Sequence, residues 1–331
     1  MKEPIYDILI QNTRILTPDM AIRSGVDVAI KDGMISSICS AGSLSCPEAE
    51  QTVDGSRLLW MPGLTDGHMH TCQQLLRGKI LDALPMIWTR IMLPFESTLT
   101  PEAVSLSAAL CSLEMIRGGT TSFLDAGGIH MDEAAKVYIK SGLRGALTLS
   151  TMDDTKVSDS MRADAAESIS RLNEYYNTWN GSGDGRLSVY YSLRSLISCS
   201  EKLIRGVFEA ASERSAMVEA HMNEYPNEIN YHLERYQMRP MEYLDSLGVL
   251  SDHFVSAHSI LLSEHEIELM AAKGVKAVHC PFSNCGKGVP NTPRLLESGI
   301  SVAFGTDGTA HGGMSLFQEM KIFRSIMNIR Y

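Results

Sequence analysis

From residue 58 onward, short apolar runs alternate with stretches of helical periodicity, and this alternation limits the fold more than any other feature of the chain. Such runs are typical of βα units around a buried parallel sheet. Eight runs is the number that closes a (β/α)8 barrel of the TIM type, an α/β fold. A doubly wound sheet is the alternative, but no G-x-G-x-x-G phosphate loop follows the first run. The predicted strands are residues 61–65, 120–125, 144–149, 187–193, 216–221, 253–258, 275–279 and 301–306.

The segments between these runs are predicted helices, and several have recognisable ends. Thr100 precedes one of them as an N-cap. Gly142, Gly248, Gly274 and Gly299 come directly after four others, where a left-handed C-cap is expected. The predicted helices are residues 101–117, 131–141, 159–179, 201–214, 227–247, 263–273 and 292–298.

The first sixty residues have a different character. Residues 6–10, 26–30 and 34–38 read as short strands, and Asp32-Gly33 predicts a turn between the last two. This pattern predicts a small antiparallel meander, which cannot bury enough surface alone and must pack on something else. No further strands remain after the eighth run to pair with it. Either the barrel alone supports the meander, or the chain is incomplete.

The charge balance narrows the class of partner. Twenty-nine Lys and Arg residues against 39 Asp and Glu give a formal net charge of −10, so no general field attracts nucleic acid or anionic lipid. Nowhere do about 18 apolar residues, the length needed to cross a bilayer, follow one another without a charge. The N-terminus reads as neither a signal nor a transit peptide. Seven scattered cysteines without a C-x-x-C pair favour a reducing compartment. A cytoplasmic protein with neither a nucleic acid nor a membrane as partner is expected.

Polar residues at the carboxyl ends of predicted strands carry the strongest functional signal, because barrel enzymes place their reactive groups there. His68 and His70 are two positions apart at the end of the first strand, so they point the same way. His221 ends the fifth strand and Asp307 follows the eighth, so four side chains can converge on one ion. Three imidazoles and a carboxylate suit a borderline divalent ion, zinc first and iron(II) next.

Two other interpretations of these histidines, a structural role and a zinc site of the cytidine-deaminase type, account for the pattern less well. A single histidine is more often a hydrogen-bonded structural residue than a ligand, and a lone H-x-H is weak evidence. The combination of four strand ends is what favours a metal. Cytidine-type zinc deaminases use H-x-E and P-C-x-x-C. Here His221 and Glu224 are spaced H-x-x-E, and four residues separate Cys280 from Cys285, so that architecture is excluded.

An ordered set of motifs runs along the chain: M-P-G-L-T-D-G-H-M-H at 61–70, L-L-R-G at 75–78, G-T-T at 119–121, H-M-N-E at 221–224, His258, H-C-P-F-S-N at 279–284 and G-T-D-G at 305–308. Together they resemble the amidohydrolase superfamily. Within it the match is to the mononuclear aminohydrolase branch, which holds guanine, methylthioadenosine/S-adenosylhomocysteine and 8-oxoguanine deaminases and the triazine hydrolases. The resemblance covers nearly the whole chain, from Tyr6 to Met327.

The resemblance implies two domains. Residues 1–60 would form half of a small β-sandwich, and residues 61–331 a metal-dependent (β/α)8 barrel that ends in the helix after strand eight. Family members complete the sandwich with further strands beyond the barrel. The absence of those strands here departs from the pattern and implies a chain that is incomplete at its C-terminus. A homo-oligomer is a further expectation by analogy with relatives.

The resemblance also implies a mechanism. Dinuclear members carry a bridging lysine at the end of strand four, whereas this chain runs into Arg194 without a lysine, so one ion is expected. A bound divalent ion lowers the pKa of its water. The implied reaction replaces an exocyclic amino group with oxygen and releases ammonia. The implied ligands are His68, His70, His221 and Asp307, and the implied catalytic residues are Glu224 as proton shuttle, His258 as the residue that orients the water, and Asp307 as acceptor of its proton.

Three residues are predicted to contact the substrate. Guanine deaminase has residues matching Gln73 and Arg194, whereas adenosine-type members tend to have histidine at the second position, and arginine donates to a carbonyl oxygen. Trp88 could stack on an aromatic ligand. Each has a structural alternative: a loop amide for Gln73, a rim salt bridge for Arg194 and helix core for Trp88. Residues 75–78 and 306–313 look closer to the nucleoside, triazine and 8-oxopurine members, so oxopurine and adenosine-derived substrates both stay open.

These residues predict a metal-dependent deaminase of a small purine-type heterocycle. The first alternative is a triazine-type hydrolase, because the same chemistry can displace chloride or alkylamine. An alternative of another class is a catalytically inactive amidohydrolase-like scaffold that binds a partner. The intact set of implied ligands, with Glu224, disfavours that scaffold.

Overall fold

The computed structural model describes residues 5–44, 47–80, 86–308 and 312–331. The chain divides into two compact units, Met1–Gly63 and Leu64–Tyr331. The first unit is a β-sheet without helices in its described residues, and the second is built of parallel strands and helices.

Five strands make up the first unit: β1 (Tyr6–Leu16), β2 (Ile22–Lys31), β3 (Met34–Ser40), β4 (Ala49–Asp54) and β5 (Leu59–Trp60). β1 pairs with β2 and β2 with β3 in antiparallel fashion, as the alternation predicts. β4 and β5 run parallel to β1 and were not predicted. The reason is that β4 is mostly polar and exposed, while β5 has two residues only. The apolar core of this sheet consists of Ile10, Ile15, Val26 and Val28.

Within its described residues the second unit contains nine parallel strand segments: β6 (Leu64–Met69), β7 (Thr120–Asp125), β8 (Arg144–Leu147), β9 (Leu187–Val189), β10 (Tyr191–Ser195), β11 (Val218–Met222), β12 (Phe254–His258), β13 (Lys276–His279) and β14 (Val302–Phe304). They pair in the orders β6-β7-β8-β9 and β10-β11-β12-β13-β14. β9 and β10 are one stretch interrupted at Tyr190, and a parallel bridge joins Met69 to Asp307. The segments therefore fill the eight positions of a closed (β/α)8 barrel, as predicted.

Side chains from strands on opposite sides meet inside this barrel. Leu124 on β7, Ala146 on β8, Val255 on β12 and Val278 on β13 belong to one buried cluster. Because β7 and β12 are not neighbours in the sheet order, their contact passes through the interior. The barrel is therefore a packed core rather than a pore.

Most predicted helices are present, but one begins later than predicted and another is divided into two. The helix predicted at 159–179 begins only at Ala165, because the Asp164 side chain caps it by accepting from Glu167 N at 3.0 Å. The helix predicted at 227–247 is divided at Gln237, whose φ of 56° is left-handed. The helices are α1 (Leu93–Glu96), α2 (Pro101–Gly118), α3 (Met131–Ser141), α4 (Ala165–Trp179), α5 (Ser182–Gly185), α6 (Glu201–Ser212), α7 (Pro226–Tyr236), α8 (Pro240–Ser246), α9 (Glu264–Lys273), α10 (Pro281–Asn284), α11 (Thr292–Glu297) and α12 (Leu316–Arg330), with 3-10 turns at Thr71–Leu76 and Leu196–Ser198 and a π-helical turn at Trp88–Met92.

The predicted helix ends are present. Thr100 caps α2 by accepting from Ala103 N at 3.2 Å, and the four glycines predicted as C-caps all have φ between 71° and 81°. In the described ranges no single helix is long and apolar enough to qualify as a membrane span. The segments Trp88–Glu96 and Pro101–Gly118 pass that test only as a pair, and the pair is bent by 112°.

Candidate metal centre and active site

His68 and His70 lie at the carboxyl end of β6, and both are buried. Nδ1 of His68 lies 2.9 Å from Oε1 of Glu219, so this carboxylate favours a proton on Nδ1 and leaves Nε2 facing the other way. Burial would lower the pKa of His68, but Asp307 and Glu219 outweigh it and raise that pKa to about 10. The surroundings of this imidazole therefore favour a bound cation. Glu219 was not predicted, although a carboxylate inside a predicted barrel strand, two residues before His221, was the available signal.

The four predicted metal ligands, His68, His70, His221 and Asp307, lie close together at this end of the barrel. Nε2 of His70 is 3.1 Å from Nε2 of His221 and 3.4 Å from Oδ1 of Asp307. Nε2 of His68 is 3.6 Å from the same oxygen. Two ligands of a tetrahedral ion with bonds of about 2.1 Å lie about 3.4 Å apart. The observed separations are close to that spacing.

His258 joins the same group from β12. One ligand atom from each of His68, His221, His258 and Asp307 lies within 4.8 Å of the others. Nδ1 of His258 donates to Oδ1 of Asn284 at 3.0 Å, which leaves its Nε2 as an acceptor. Nε2 of His68 and of His258 are buried without a hydrogen-bond partner in the described part of the chain. Buried lone pairs without partners are unfavourable, and a divalent cation would satisfy them, so these residues fit a metal ion.

For His221, His258 and Asp307 the surroundings favour the protonation states that metal binding requires, whereas His68 would have to release a proton. Burial, helped by His68 and His70, holds the pKa of His221 well below its ordinary value, so this imidazole is neutral. Burial also lowers the pKa of His258. Burial would raise the pKa of Asp307, but the neighbouring imidazoles outweigh it and keep this pKa well below its ordinary value. Neutral imidazoles and an ionised carboxylate are the ligand forms of these side chains.

Glu224 follows β11, and Lys287 binds it. Nζ of Lys287 is 2.6 Å from Oε1 of Glu224, 2.8 Å from Oγ of Ser283 and 3.7 Å from Oδ2 of Asp307. Burial would raise the pKa of Glu224, but His258 and Lys287 outweigh it and lower that pKa. Burial would lower the pKa of Lys287, but the two carboxylates raise it. The site therefore holds Glu224 ionised beside a buried ammonium group.

Three side chains from the segment that follows β13 support the site, and no role was predicted for them. They are Ser283, Asn284 and Lys287. Ser283 donates to Oδ2 of Asp307, and Asn284 orients His258 as described. Both belong to the family motif at 279–284, which was the available signal. Nothing in the local sequence separates Lys287 from a surface lysine, because the fold alone brings it back to Glu224.

A narrow cleft of about 20 Å³ lies beside these residues. The three predicted substrate contacts, Gln73, Trp88 and Arg194, all line it, together with Glu224 and Asp307. Trp88 also packs against a buried apolar cluster around the cleft, so its predicted alternative as a core residue holds as well.

Gln73 and Arg194 are both bound to a buried carboxylate, Glu96, which was not predicted. Nη1 and Nη2 of Arg194 are each 3.1 Å from an oxygen of Glu96, and Nε2 of Gln73 is 2.8 Å from its Oε1. The salt bridge considered as an alternative for Arg194 is therefore present, although Arg194 lines the cleft at the same time.

A TIM-type barrel with imidazole and carboxylate side chains clustered at the carboxyl ends of its strands defines the class of protein. The chain belongs to the amidohydrolase family, whose model matches residues 59–328. The family resemblance carried by the motifs is thereby confirmed, and with it the prediction that the chain is an enzyme of this family.

Relatives of this chain have related activities. It is 35% identical over 326 residues to the 5′-deoxyadenosine deaminase of Methanothermobacter thermautotrophicus, covering 95% of this chain and 72% of the relative. It is 33% identical over 325 residues to the 5-methylthioadenosine/S-adenosylhomocysteine deaminase of Pelotomaculum thermopropionicum, with the same coverages. A solved adenosine deaminase from Xanthomonas campestris with bound zinc is similar with a TM-score of 0.88 and 26% identity, over 98% of this chain and 75% of that one.

Proposed function

We propose that this protein is a metal-dependent deaminase that replaces an exocyclic amino group of a purine-type heterocycle with oxygen and releases ammonia. The observation that carries the proposal is the convergence of His68, His70, His221 and Asp307 at the barrel end, with Glu224 beside them on a cleft wall. The relatives named above are deaminases of adenosine derivatives, which supports the same class of reaction.

The four predicted ligands would hold one divalent ion, preferentially zinc and alternatively iron(II), because imidazole nitrogen and carboxylate oxygen suit both. Once bound, such an ion supplies a Lewis acid that lowers the pKa of water toward neutrality. The bound zinc of the Xanthomonas campestris neighbour supports this choice. The tautomers fixed by Glu219 and Asn284 leave imidazole Nε2 atoms free to face the ion or its water.

Asp307, His258 and Glu224, which surround the predicted metal position, share the proton transfers of the reaction. Asp307 accepts a proton from the attacking water through its carboxylate, and His258 hydrogen-bonds that water through Nε2. Glu224, ionised in the resting site, carries the two protons of the water in turn: the first, passed on from Asp307, goes to the ring nitrogen beside the carbon under attack, and the second, released as the hydroxyl becomes a carbonyl and the C–N bond breaks, goes to the amine, which leaves as ammonia. Lys287 keeps Glu224 ionised and in place through the 2.6 Å contact.

The substrate would lie in the cleft between Gln73, Arg194 and Trp88. The Trp88 indole offers a face for stacking on a planar ring, while Gln73 and Arg194 offer hydrogen bonds to its edge. An oxopurine and an adenosine derivative both carry groups that can pair with an amide and a guanidinium, so both stay open as substrates. We further infer a cytoplasmic location, because the six cysteines in the described ranges are free thiols, which is consistent with a reducing compartment. We also propose a homo-oligomer, by analogy with relatives alone.

Metal removal and ammonia release test this function. The protein is stripped with a chelator and reloaded with zinc, and ammonia is measured with guanine, 8-oxoguanine, isoguanine, adenosine, 5′-deoxyadenosine, methylthioadenosine and melamine. We expect zinc-dependent release from at least one purine-type compound. The Glu224→Gln variant should bind zinc equally but lose about 10²–10⁴-fold in rate, because the proton shuttle is absent.

Two results would contradict the proposal. Release of chloride or alkylamine from triazines, without ammonia from any purine, would identify a triazine-type hydrolase. A zinc content below a tenth of an equivalent after reloading, with no turnover, would identify an inactive scaffold.

A further inference from the structure

Glu96 lies behind the wall of the cleft and joins two residues that line it. Its Oε1 accepts from Gln73 Nε2 at 2.8 Å and from Arg194 Nη2 at 3.1 Å, and its Oε2 accepts from Arg194 Nη1 at 3.1 Å. All three side chains are buried. They come from three separate elements, the turn Thr71–Leu76, helix α1 and strand β10. The fold therefore brings distant segments together to make this contact.

Stability does not account for the arrangement. A buried arginine–carboxylate pair gains little over apolar residues of the same volume, because both charges lose their hydration. A fully bonded polar network is, however, rigid. The effect of Glu96 is therefore to hold Gln73 and Arg194 in fixed orientations at the cleft wall.

The carboxylate determines which way the Gln73 amide points. A carboxylate only accepts hydrogen bonds, so the NH2 group of Gln73 must face Glu96 and the carbonyl Oε1 faces away from it. This Oε1 is buried and has no hydrogen-bond partner among the residues that the structure describes. It lies against Gly308, where a Cβ would come within 1.8 Å of it. The missing side chain at Gly308 leaves room for the carbonyl beside Asp307.

We propose that Glu96 is a positioning residue that fixes Gln73 as a hydrogen-bond acceptor toward the substrate. This inference rests on the proposed function and deepens it. A substrate must bring a hydrogen-bond donor to Gln73, either a ring N–H or a sugar hydroxyl. A glutamine without Glu96 could turn its amide by 180° and offer either polarity.

Product binding to the zinc-loaded protein, measured by titration calorimetry, tests the polarity of Gln73. Hypoxanthine is compared with its ring N-methyl isomers, which lack one ring donor each, and inosine with 2′- and 3′-deoxyinosine, which lack one sugar donor each. In the wild type, loss of the donor that meets Gln73 should weaken binding about tenfold or more, because the buried carbonyl stays unpaired. In Glu96→Gln the amide can turn, and this difference should fall below about threefold.

Two further variants separate positioning from folding. In the double variant Gln73→Glu/Glu96→Gln a carboxylate at position 73 again only accepts, so the tenfold difference should return, and the total charge is that of the wild type. Glu114→Gln is the matched control: Glu114 also binds both terminal nitrogens of an arginine, Arg77, beside a glutamine, Gln74, but outside the cleft wall. It should keep the tenfold difference. If Glu96→Gln does not fold, the charge-conserving double variant carries the test.

The inference is overturned if Glu96→Gln keeps the wild-type difference, if the Glu114→Gln control loses it, or if the double variant fails to restore it. It is also overturned if no donor deletion weakens binding to the wild type, or if no product binds. Failure of the proposed function has a different signature, because the wild-type protein would then release no ammonia from any heterocycle whatever the state of Glu96.

Discussion

Replacing Lys287 by Met removes an ammonium group that lies 2.6 Å from Oε1 of Glu224. Two unit charges at that distance attract each other by about 6 kcal/mol at an effective dielectric constant of about 20. Measured losses on removing one partner of a buried pair are smaller, about 3–5 kcal/mol, because the site relaxes. If about 3 kcal/mol of this is lost in the step that uses Glu224, kcat/KM falls about 100-fold.

The loss should depend on pH in a definite direction. Lys287 helps to keep the pKa of Glu224 below its ordinary value, so its removal raises that pKa. Glu224 must be ionised to take up a proton, so the Lys287→Met variant should lose most activity at low pH and recover as the pH rises.

The assay is kcat/KM for ammonia release by zinc-saturated protein between about pH 5 and pH 10. Lys287→Arg keeps the charge and serves as the control, and its acid limb should stay near that of the wild type. The reasoning is refuted if the Met variant keeps the wild-type acid limb, or if its activity falls equally at every pH while its zinc content is unchanged.

Three further predictions address the ligand support, the cleft wall and stability. Glu219→Gln should weaken zinc binding about 10- to 100-fold in a competition titration with a chelator, because His68 loses its charged acceptor; equal affinity would contradict this. Gly308→Ala should lower kcat/KM for ammonia release about tenfold or more with zinc content unchanged, since the new Cβ overlaps Oε1 of Gln73; wild-type activity would exclude the overlap. Burial raises the pKa of Glu319 from 4.5 to about 8, so the folded state retains a proton that the unfolded state releases, and stability falls as pH rises through this window. Glu319→Gln should therefore gain stability over the wild type between pH 5 and pH 8 in urea unfolding, by at most about 1.4 kcal/mol per pH unit; an equal difference at both pH values would refute it.

The barrel could be predicted because eight buried strands leave eight apolar runs, but the ends of the strands could not. The first barrel strand was predicted at 61–65 and spans Leu64–Met69. From its third residue onward this strand carries Asp66 and His68, which are buried yet polar, so the apolar run ends before the strand does. Asp66 is tolerated there because Thr306 donates to it through both its backbone N and its Oγ1. Such compensation comes from a segment far away in the chain, which no local pattern contains.

The same distinction applies to the site. The ligand candidates His68, His70, His221 and Asp307 could be predicted because strand ends of a barrel face one another. Glu96 and Lys287 could not, since their roles depend on pairing with Arg194 and Glu224 across many residues. Arg194 itself was predicted at the cleft, but its buried partner decides how it can act there.

Asp307 joins the last barrel position to the first. Its backbone N donates to the carbonyl of His68 at 2.9 Å, and its neighbour Thr306 binds Asp66 across 240 positions of sequence. During synthesis at about 5–20 residues per second, the segment that closes the ring leaves the ribosome tens of seconds after the first histidines. A nascent chain with those histidines exposed has no enclosed ion-binding pocket. The four side chains that would hold the ion are therefore brought together only after the eighth barrel position has been made, so we expect capture of the metal to be a late event in biogenesis.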